Sequence, residues 1–108
     1  MRRSSGYRVK TLRHSVKFYL PRVEGYLEVI RQMATQYSGM SLIEFDGFFE
    51  GKYEPVKYVR VEIHVNKINV AIMEKHANEI RLLLKQQSLA FEYDNRLVLV
   101  AERAHRGH

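Results

Sequence analysis

The clearest feature of the chain is the alternation of apolar and polar residues in the segment 57–65, KYVRVEIHV. Aliphatic residues take every second position, at Val59, Val61, Ile63 and Val65. Because successive side chains of a strand point to opposite faces, this pattern predicts a β-strand whose aliphatic row packs on a core. The other row consists of Tyr58, Arg60, Glu62 and His64. The interpretation of the function therefore depends on the role of this second row.

Four other segments carry strand patterns. Residues 14–20, HSVKFYL, alternate in the same way. The segments 41–50 and 53–65 predict two strands joined around Gly51–Lys52. The last pair, LAFEY and RLVLVAE, flanks Asp94–Asn95, and these residue types supply the positive φ angles of a tight turn.

Two segments show helical spacing. Residues 22–37 place apolar side chains three and four positions apart, and Gly39 follows as a C-terminal cap. Residues 66–87 repeat the pattern, and either Asn66 or Asn69 can cap the N-terminus of that helix.

The hairpin between the second and third strands needs one irregularity. A strict two-residue loop at Gly51–Lys52 would align an apolar row with a mixed one, and a slip of one residue exchanges the faces. We therefore expect a bulge or a three-residue loop near Gly51–Pro55. This register places Glu44 opposite Arg60 and Asp46 opposite Tyr58.

The elements follow in the order strand, helix, strand, strand, helix, strand, strand. This order predicts an α+β fold, a ferredoxin-like split βαβ sandwich: βαββαβ with an extra C-terminal strand, and two helices on one face of an antiparallel sheet. The order resembles several small ferredoxin-like regulatory families over most of the chain. A fold by itself does not give a function.

The net charge of +6 is concentrated at one end of the chain. Residues 1–17 contain six basic residues and no acid, whereas the remaining residues carry 12 basic and 12 acidic side chains. We therefore expect a basic flexible arm at 1–13, a single ferredoxin-like domain at 14–102 and a flexible tail at 103–108. The arm is the candidate for contacting an acidic partner, nucleic acid first. The basic residues assigned to this contact are Arg2, Arg3, Arg8, Lys10, Arg13 and Lys17.

Few residues of the chain suggest chemistry. There is no cysteine, no serine in a nucleophile elbow, and no glycine spacing typical of a phosphate-binding loop. His64 and His76 are expected in different layers, so we predict no metal site, and His76 fits a hydrogen-bonded boundary position. No catalytic residue and no cofactor are predicted. The lack of cysteine and of any apolar run near the ~20 residues of a membrane span favours a cytoplasmic location without membrane contact.

If both helices cover the aliphatic row, the opposite face of the sheet gathers aromatic, acidic and basic side chains. The candidates on that face are Tyr19, Glu44, Phe48, Tyr58, Arg60, Glu62 and His64. Three interpretations compete for it. The face is a hydrated surface with cross-strand ion pairs, or the interface of a homodimer, whose composition it fits, or a ligand or catalytic site.

Together these observations favour a small non-enzymatic binding and assembly domain. It self-associates as a dimer and contacts nucleic acid through the basic arm. The first alternative is a ligand-sensing or enzymatic domain with a site between subunits, whose wall is lined by Arg60, His64, Glu62 and Glu44. In this alternative Arg60 holds an anionic group and His64 carries a proton. The second alternative is an interaction subunit without nucleic acid.

Overall fold

The computed structural model describes residues 2–4, 6–37 and 39–103, with side chains described for all of these except 2–4, 45, 47–49 and 54–56. In chain order the elements are β1 (Arg2–Ser4), β2 (Tyr7–Val9), β3 (His14–Pro21), α1 (Tyr26–Gln36), β4 (Met40–Phe49), β5 (Lys52–Val65), α2 (Val70–Leu83), β6 (Ser88–Tyr93) and β7 (Arg96–Ala101). The chain is therefore a small α+β protein.

Five of these strands form one antiparallel sheet in the order β4-β5-β3-β6-β7. β3 lies at the centre and pairs with β5 on one side and with β6 on the other. β1 and β2 pair with each other in a separate two-stranded sheet.

The aliphatic row of the sheet packs against both helices, as the alternation predicts. Phe18 on β3 lies between Val61 on β5 and Phe91 on β6, and all three side chains are fully buried. The rings of Phe18 and Phe91 stack with their centroids 5.8 Å apart. The two helices add Val29, Ile30, Met33, Met73, Ala77 and Ile80 to the same core. Since both helices cover one face of the sheet, the row that contains Arg60 faces away from them.

Both helices are shorter than the sequence predicts. α1 begins after Gly25, whose φ of 90° turns the chain from β3 into the helix, and it is capped at Tyr37 rather than at the predicted Gly39. α2 begins after Asn69, whose side-chain oxygen accepts a hydrogen bond from the Ile72 N–H at 3.2 Å. This confirms one of the two predicted caps. Within the described ranges, no helix has the length and apolar character needed to cross a membrane.

The β4–β5 hairpin corrects the predicted register. Its turn has two residues, Glu50–Gly51, with φ angles of 50° and 77°. The predicted irregularity does occur at Pro55: between the pairs Phe45–Tyr58 and Gly47–Glu54, two positions on β4 span four positions on β5. Because this slip is an even number of residues, it leaves each side chain on its face, and the predicted exchange of faces does not take place.

The sequence predicted the hairpin near one end of the described chain but not the hairpin near the other end. The turn at Asp94–Asn95 is confirmed, with φ angles of 47° and 66°. At the other end, β1 and β2 form a short hairpin around Gly6, a pairing that the sequence pattern did not predict. The division into arm, domain and tail stays a prediction.

Candidate functional site

The face of the sheet that turns away from the helices carries a strip of charged side chains. We call this face the open face. On β5 it presents Arg60, Glu62 and His64, and their cross-strand partners on β3 are Tyr19, Lys17 and Ser15. Except for His64, which is exposed, these side chains are half-buried. The predicted position of Tyr19 beside the β5 row is thus confirmed, and Lys17 lies on the same face.

Glu62 is the centre of one half of the strip. Its Oε2 lies 3.4 Å from Arg60 Nη2 and its Oε1 lies 3.5 Å from His64 Nε2. The Glu62 side chain is only 19% exposed, whereas that of His64 is 55% exposed. Arg60 Nε is buried and has no hydrogen-bond partner. A buried donor without an acceptor costs free energy, so this nitrogen marks a place where an added acceptor would be favourable.

Glu92, on β6, is the centre of the other half. The Tyr19 hydroxyl donates a hydrogen bond to Glu92 Oε1 at 2.9 Å, and Lys17 Nζ lies 3.5 Å from Glu92 Oε2. Burial raises the pKa of Tyr19, and the hydrogen bond to the Glu92 carboxylate raises it further, while Arg60 acts in the opposite direction. Tyr19 is therefore a neutral donor that touches both halves of the strip.

Sequence reasoning missed Glu92. The signal was present in LAFEY, because the apolar Leu89 and Phe91 are buried and Glu92 must then share the face of Ala90. The pairing of β6 with β3, which brings Glu92 opposite Lys17, was needed to place it in the strip.

Glu44 does not belong to the open face, and its assignment there was wrong. The observed register places Ile43 opposite Arg60 and Glu44 opposite Val59, on the face that the helices cover elsewhere. At this edge strand no helix shields the carboxylate, which is 60% exposed and lies 3.7 Å from Arg22 Nη1. The predicted pair of Glu44 with Arg60 is absent.

The remaining predictions for β4 also need correction. Phe45, not Asp46, is the partner of Tyr58. Asp46 instead accepts a hydrogen bond from the Tyr53 hydroxyl at 2.5 Å, within its own hairpin. The side chain of Phe48, a further candidate, lies outside the described residues.

A cleft of about 690 Å³ opens at one end of the strip. Its walls come from the open face and from the turn that joins α2 to β6, and the lining residues are Tyr19, Pro21, Tyr58, Ala90, Leu99 and 85–89. A second cleft of about 580 Å³ adjoins it, because Pro21, Tyr58 and Gln86 line both. Ligand sites of small molecules commonly enclose about 300–1,000 Å³ and combine aromatic walls with a few polar groups. The first cleft has that size, and Tyr19 connects it to the carboxylate of Glu92.

The basic residues assigned to the arm are not placed together in one site. The side chains of Arg2 and Arg3 lie outside the described residues, whereas Arg8, Lys10 and Arg13 are exposed. Lys17 belongs to the open face, where it pairs with Glu92.

His76 occupies the boundary position that its pattern predicts. Its Nδ1 lies 2.8 Å from the Tyr37 hydroxyl, which bridges the C-terminal end of α1 to α2. Burial raises the pKa of Tyr37. No three His, Asp or Glu side chains come together as metal ligands in the part of the chain that the structure describes.

The comparisons with known proteins give the fold and no sequence family. No protein-family model matches the sequence, and no curated protein matches it. Among solved structures, a phage SAM lyase in complex with S-methyl-5′-thioadenosine is similar with a TM-score of 0.68 and 12% sequence identity, over 95% of this chain and 100% of that chain. A phage SAM lyase in the apo state is similar with a TM-score of 0.60 and 14% identity, over 93% of this chain and 100% of that one.

These neighbours overturn the main functional prediction. A non-enzymatic assembly domain that contacts nucleic acid was expected, but the two similar solved structures are those of an enzyme. The first alternative, a ligand-sensing or enzymatic domain with a site around Arg60, Glu62 and His64, agrees better with them.

Proposed function

We propose that this chain is an enzyme that binds S-adenosylmethionine at the open face and cleaves it as a lyase. The proposal rests on one observation. Tyr19 lines the aromatic cleft and also donates a hydrogen bond to Glu92, in the half-buried strip of paired charges. The similarity to phage SAM lyase over nearly the whole chain supports it. We also propose that the fold is the ferredoxin-like split βαβ, since the order β4-β5-β3-β6-β7 agrees with two interleaved βαβ units and one added edge strand.

The groups of the ligand match the groups of the site. S-adenosylmethionine has a planar base, a sulfonium and an amino-acid end that carries both charges. The rings of Tyr19 and Tyr58 line the cleft and offer apolar faces for the base, and such stacking is worth about 1–3 kcal/mol per base in single-stranded nucleic-acid complexes. The strip is charge-balanced, with Glu62 and Glu92 against Arg60 and Lys17, which suits a ligand with groups of both signs.

The carboxylates are the partners we assign to the sulfonium. A positive charge is attracted both to carboxylates and to the faces of aromatic rings, and both attractions strengthen when water is excluded. Arg60 already pairs with Glu62 at 3.4 Å, so we assign to it the positioning of that carboxylate. This modifies the sequence-based hypothesis, in which Arg60 held an anionic group by itself.

Lyase chemistry on this ligand has a simple electron balance. When the bond from sulfur to the aminobutyrate carbon breaks, its electron pair goes to sulfur, which becomes the neutral thioether of S-methyl-5′-thioadenosine. As this bond breaks, either the carboxylate oxygen of the same fragment displaces sulfur from the carbon, which gives a lactone, or a base removes a proton from the adjacent carbon, which gives an alkene. The second route needs a base beside that carbon, and His64 is not placed for it, because it lies opposite Ser15, four residues along β3 from Tyr19 and the cleft. The two products are isomers that proton NMR separates.

A second copy of the chain is our proposed cover for the open face. Leu97 and Leu99 lie on this face, opposite Glu92 and Ala90, and are 64% and 68% exposed. Burial of these leucines against a second copy would also exclude water from the strip. Leu97→Lys should shift the chain to monomer in light scattering coupled to size exclusion. A wild-type chain that is monomeric at high micromolar concentration contradicts this part of the proposal.

The direct test is turnover. Purified full-length chain is incubated with S-adenosylmethionine, and S-methyl-5′-thioadenosine is followed by liquid chromatography and mass spectrometry, with a protein-free reaction as the blank. We expect release above the blank. Glu62→Gln should lower kcat/KM by about tenfold through weaker binding of the ligand, because the sulfonium charge that this carboxylate attracts is present in the bound ligand and is lost as the bond breaks. Glu74→Gln, an exposed change on α2, is the matched control and should leave the rate unchanged.

The outcome that overturns the proposal is equally direct. If wild-type protein releases no product above the blank and also binds neither S-adenosylmethionine nor S-methyl-5′-thioadenosine in calorimetry, the assignment of ligand is wrong. Binding without turnover would leave the ligand in place and remove the lyase activity.

A further inference from the structure

The turn after α2 forms a wall of the cleft and has a well-defined geometry. The Lys85 N–H donates to the Leu82 carbonyl at 3.1 Å, and the Gln86 N–H donates to the Arg81 carbonyl at 2.9 Å. These two bonds are those of a Schellman motif, in which the residue after the cap adopts the left-handed conformation. Here that residue is Lys85, with a φ of 56°.

A lysine is an unusual residue at this position. Glycine is the usual choice because it has no Cβ to oppose the left-handed backbone, and a non-glycine residue held there is strained. Strain of this kind persists where the surrounding structure holds the backbone in place, and it concentrates at functional sites. Here Arg81 supplies the support, since its Nη1 donates to the Gln86 carbonyl at 3.1 Å.

The described charged residues that line the two clefts are all basic, which indicates a role for Lys85 in binding an anionic group. Among the described residues that line the first cleft, Lys85 is the one with a charged side chain. The adjoining cleft adds two more basic residues, Arg22 and Lys57. Neither lining contains an acidic residue. The carbonyl end of α2 favours a cation at this place, and Lys85 lines a cleft whose described lining contains no carboxylate.

We propose that the Lys85 ammonium binds the carboxylate at the amino-acid end of the ligand and so selects ligands that carry one. This inference rests on the proposed function and adds a specificity determinant to it. Tyr19 and Lys85 line the same cleft, so a ligand whose base or sulfur lies near Tyr19 and Glu92 can extend its amino-acid end toward the turn. We do not assign this selection to the strip, because Lys17 and Arg60 Nη2 already pair with carboxylates and the unpartnered Arg60 Nε is buried.

The test compares two unreactive probes that differ in one group. S-adenosylhomocysteine retains the carboxylate, and its decarboxylated analogue, 5′-(3-aminopropylthio)-5′-deoxyadenosine, lacks it. Both are titrated into the full-length chain by isothermal calorimetry. Wild type should bind S-adenosylhomocysteine about tenfold more tightly than the analogue, the effect expected of one charge-assisted hydrogen bond, and Lys85→Gln should remove this preference.

Three further variants separate the charge from the turn. Lys85→Gly improves the backbone fit of the left-handed position but removes the ammonium, so it should fold as well as wild type and still lose the preference. Lys85→Arg keeps a cation and should retain most of the preference. Lys75→Gln, an exposed change elsewhere on α2, should have no effect on either probe.

The outcomes distinguish this inference from the proposed function. If wild type binds both probes with equal affinity, or if Lys85→Gln keeps the full preference, the carboxylate is held elsewhere or not at all, and the inference is refuted while the ligand assignment stands. If neither probe nor S-methyl-5′-thioadenosine binds, the proposed function itself has failed, and the inference falls with it.

Discussion

Replacing Arg81 with methionine tests how the wall of the cleft is held in place. Arg81 is 8% exposed, and its guanidinium donates from Nη1 to the Gln86 carbonyl at 3.1 Å and from Nε to Asn78 Oδ1 at 3.0 Å. Both acceptors are neutral. The guanidinium thus ties the turn after α2 to the last full turns of the helix.

The size of the effect follows from these two contacts. A hydrogen bond from a charged donor is worth about 1.5–3 kcal/mol, so the loss of both costs about 3–6 kcal/mol before any compensation. Methionine keeps an apolar stem in place and removes the desolvation penalty of a buried charge, which is several kcal/mol. We therefore expect Arg81→Met to lower the free energy of unfolding by about 1–3 kcal/mol.

Urea denaturation followed by circular dichroism measures this change, with Asn78→Ala as the matched variant. That variant removes one acceptor and leaves the Gln86 contact, so it should lose about 1 kcal/mol. Because the Gln86 carbonyl anchors the cleft wall, Arg81→Met should also weaken binding of S-methyl-5′-thioadenosine, and Asn78→Ala should do so less. An Arg81→Met protein whose denaturation midpoint equals that of wild type would refute the reasoning.

Two further predictions concern the two faces of β3. Phe18→Ala should lower the free energy of unfolding by about 3–5 kcal/mol, because it removes a fully buried ring. Lys17→Ala, on the open face, should lower it by less than about 1 kcal/mol. Urea melts of both proteins measure this difference, and similar losses would contradict the assignment of faces. The pKa of Tyr19 is raised, so the folded chain keeps that proton at a pH where the unfolded chain has lost it. The stabilisation is complete below the ordinary tyrosine pKa of about 10 and declines as the pH rises above it. Tyr19→Phe should flatten this decline in urea melts between about pH 9 and 11, and an unchanged slope would contradict the assigned cause.

The faces of the central strands could be predicted from the sequence because they depend on local periodicity. In β3 and β5 the buried positions, Phe18 and Val61 among them, alternate with the open row without interruption. A strand buried on one face must repeat with a period of two, whatever its neighbours are. The same local logic found the Asn69 cap and the turn at Asp94–Asn95, since both depend on side chains and φ preferences of a few consecutive residues.

The edge strand could not be placed in this way. On the helix-facing row of β4, Met40 packs against the core but Leu42 is exposed, and Ile43 on the other row is exposed as well, so burial does not separate the two faces there. The sequence argument used apolar matching to set the register, and this preferred Ile43 inside. Pro55 indicated where the ladder is interrupted, but the slip of two residues instead of one depends on the pairing of two long strands, which the local pattern does not specify.

This correction moves the candidate site across the sheet. Without Glu44, the acid that complements Glu62 on the open face is Glu92, which belongs to β6 on the opposite side of β3. The site therefore borders the turn from α2 into β6, the segment that also forms the cleft and carries Lys85 in its left-handed position. Three groups then follow one another along a single surface: the paired carboxylate of Glu92, the neutral hydroxyl of Tyr19, and the cation Lys85 at the end of α2. It is this continuity across β3, rather than any motif in the chain, on which the proposed binding of a ligand with a base, a sulfonium and a carboxylate rests.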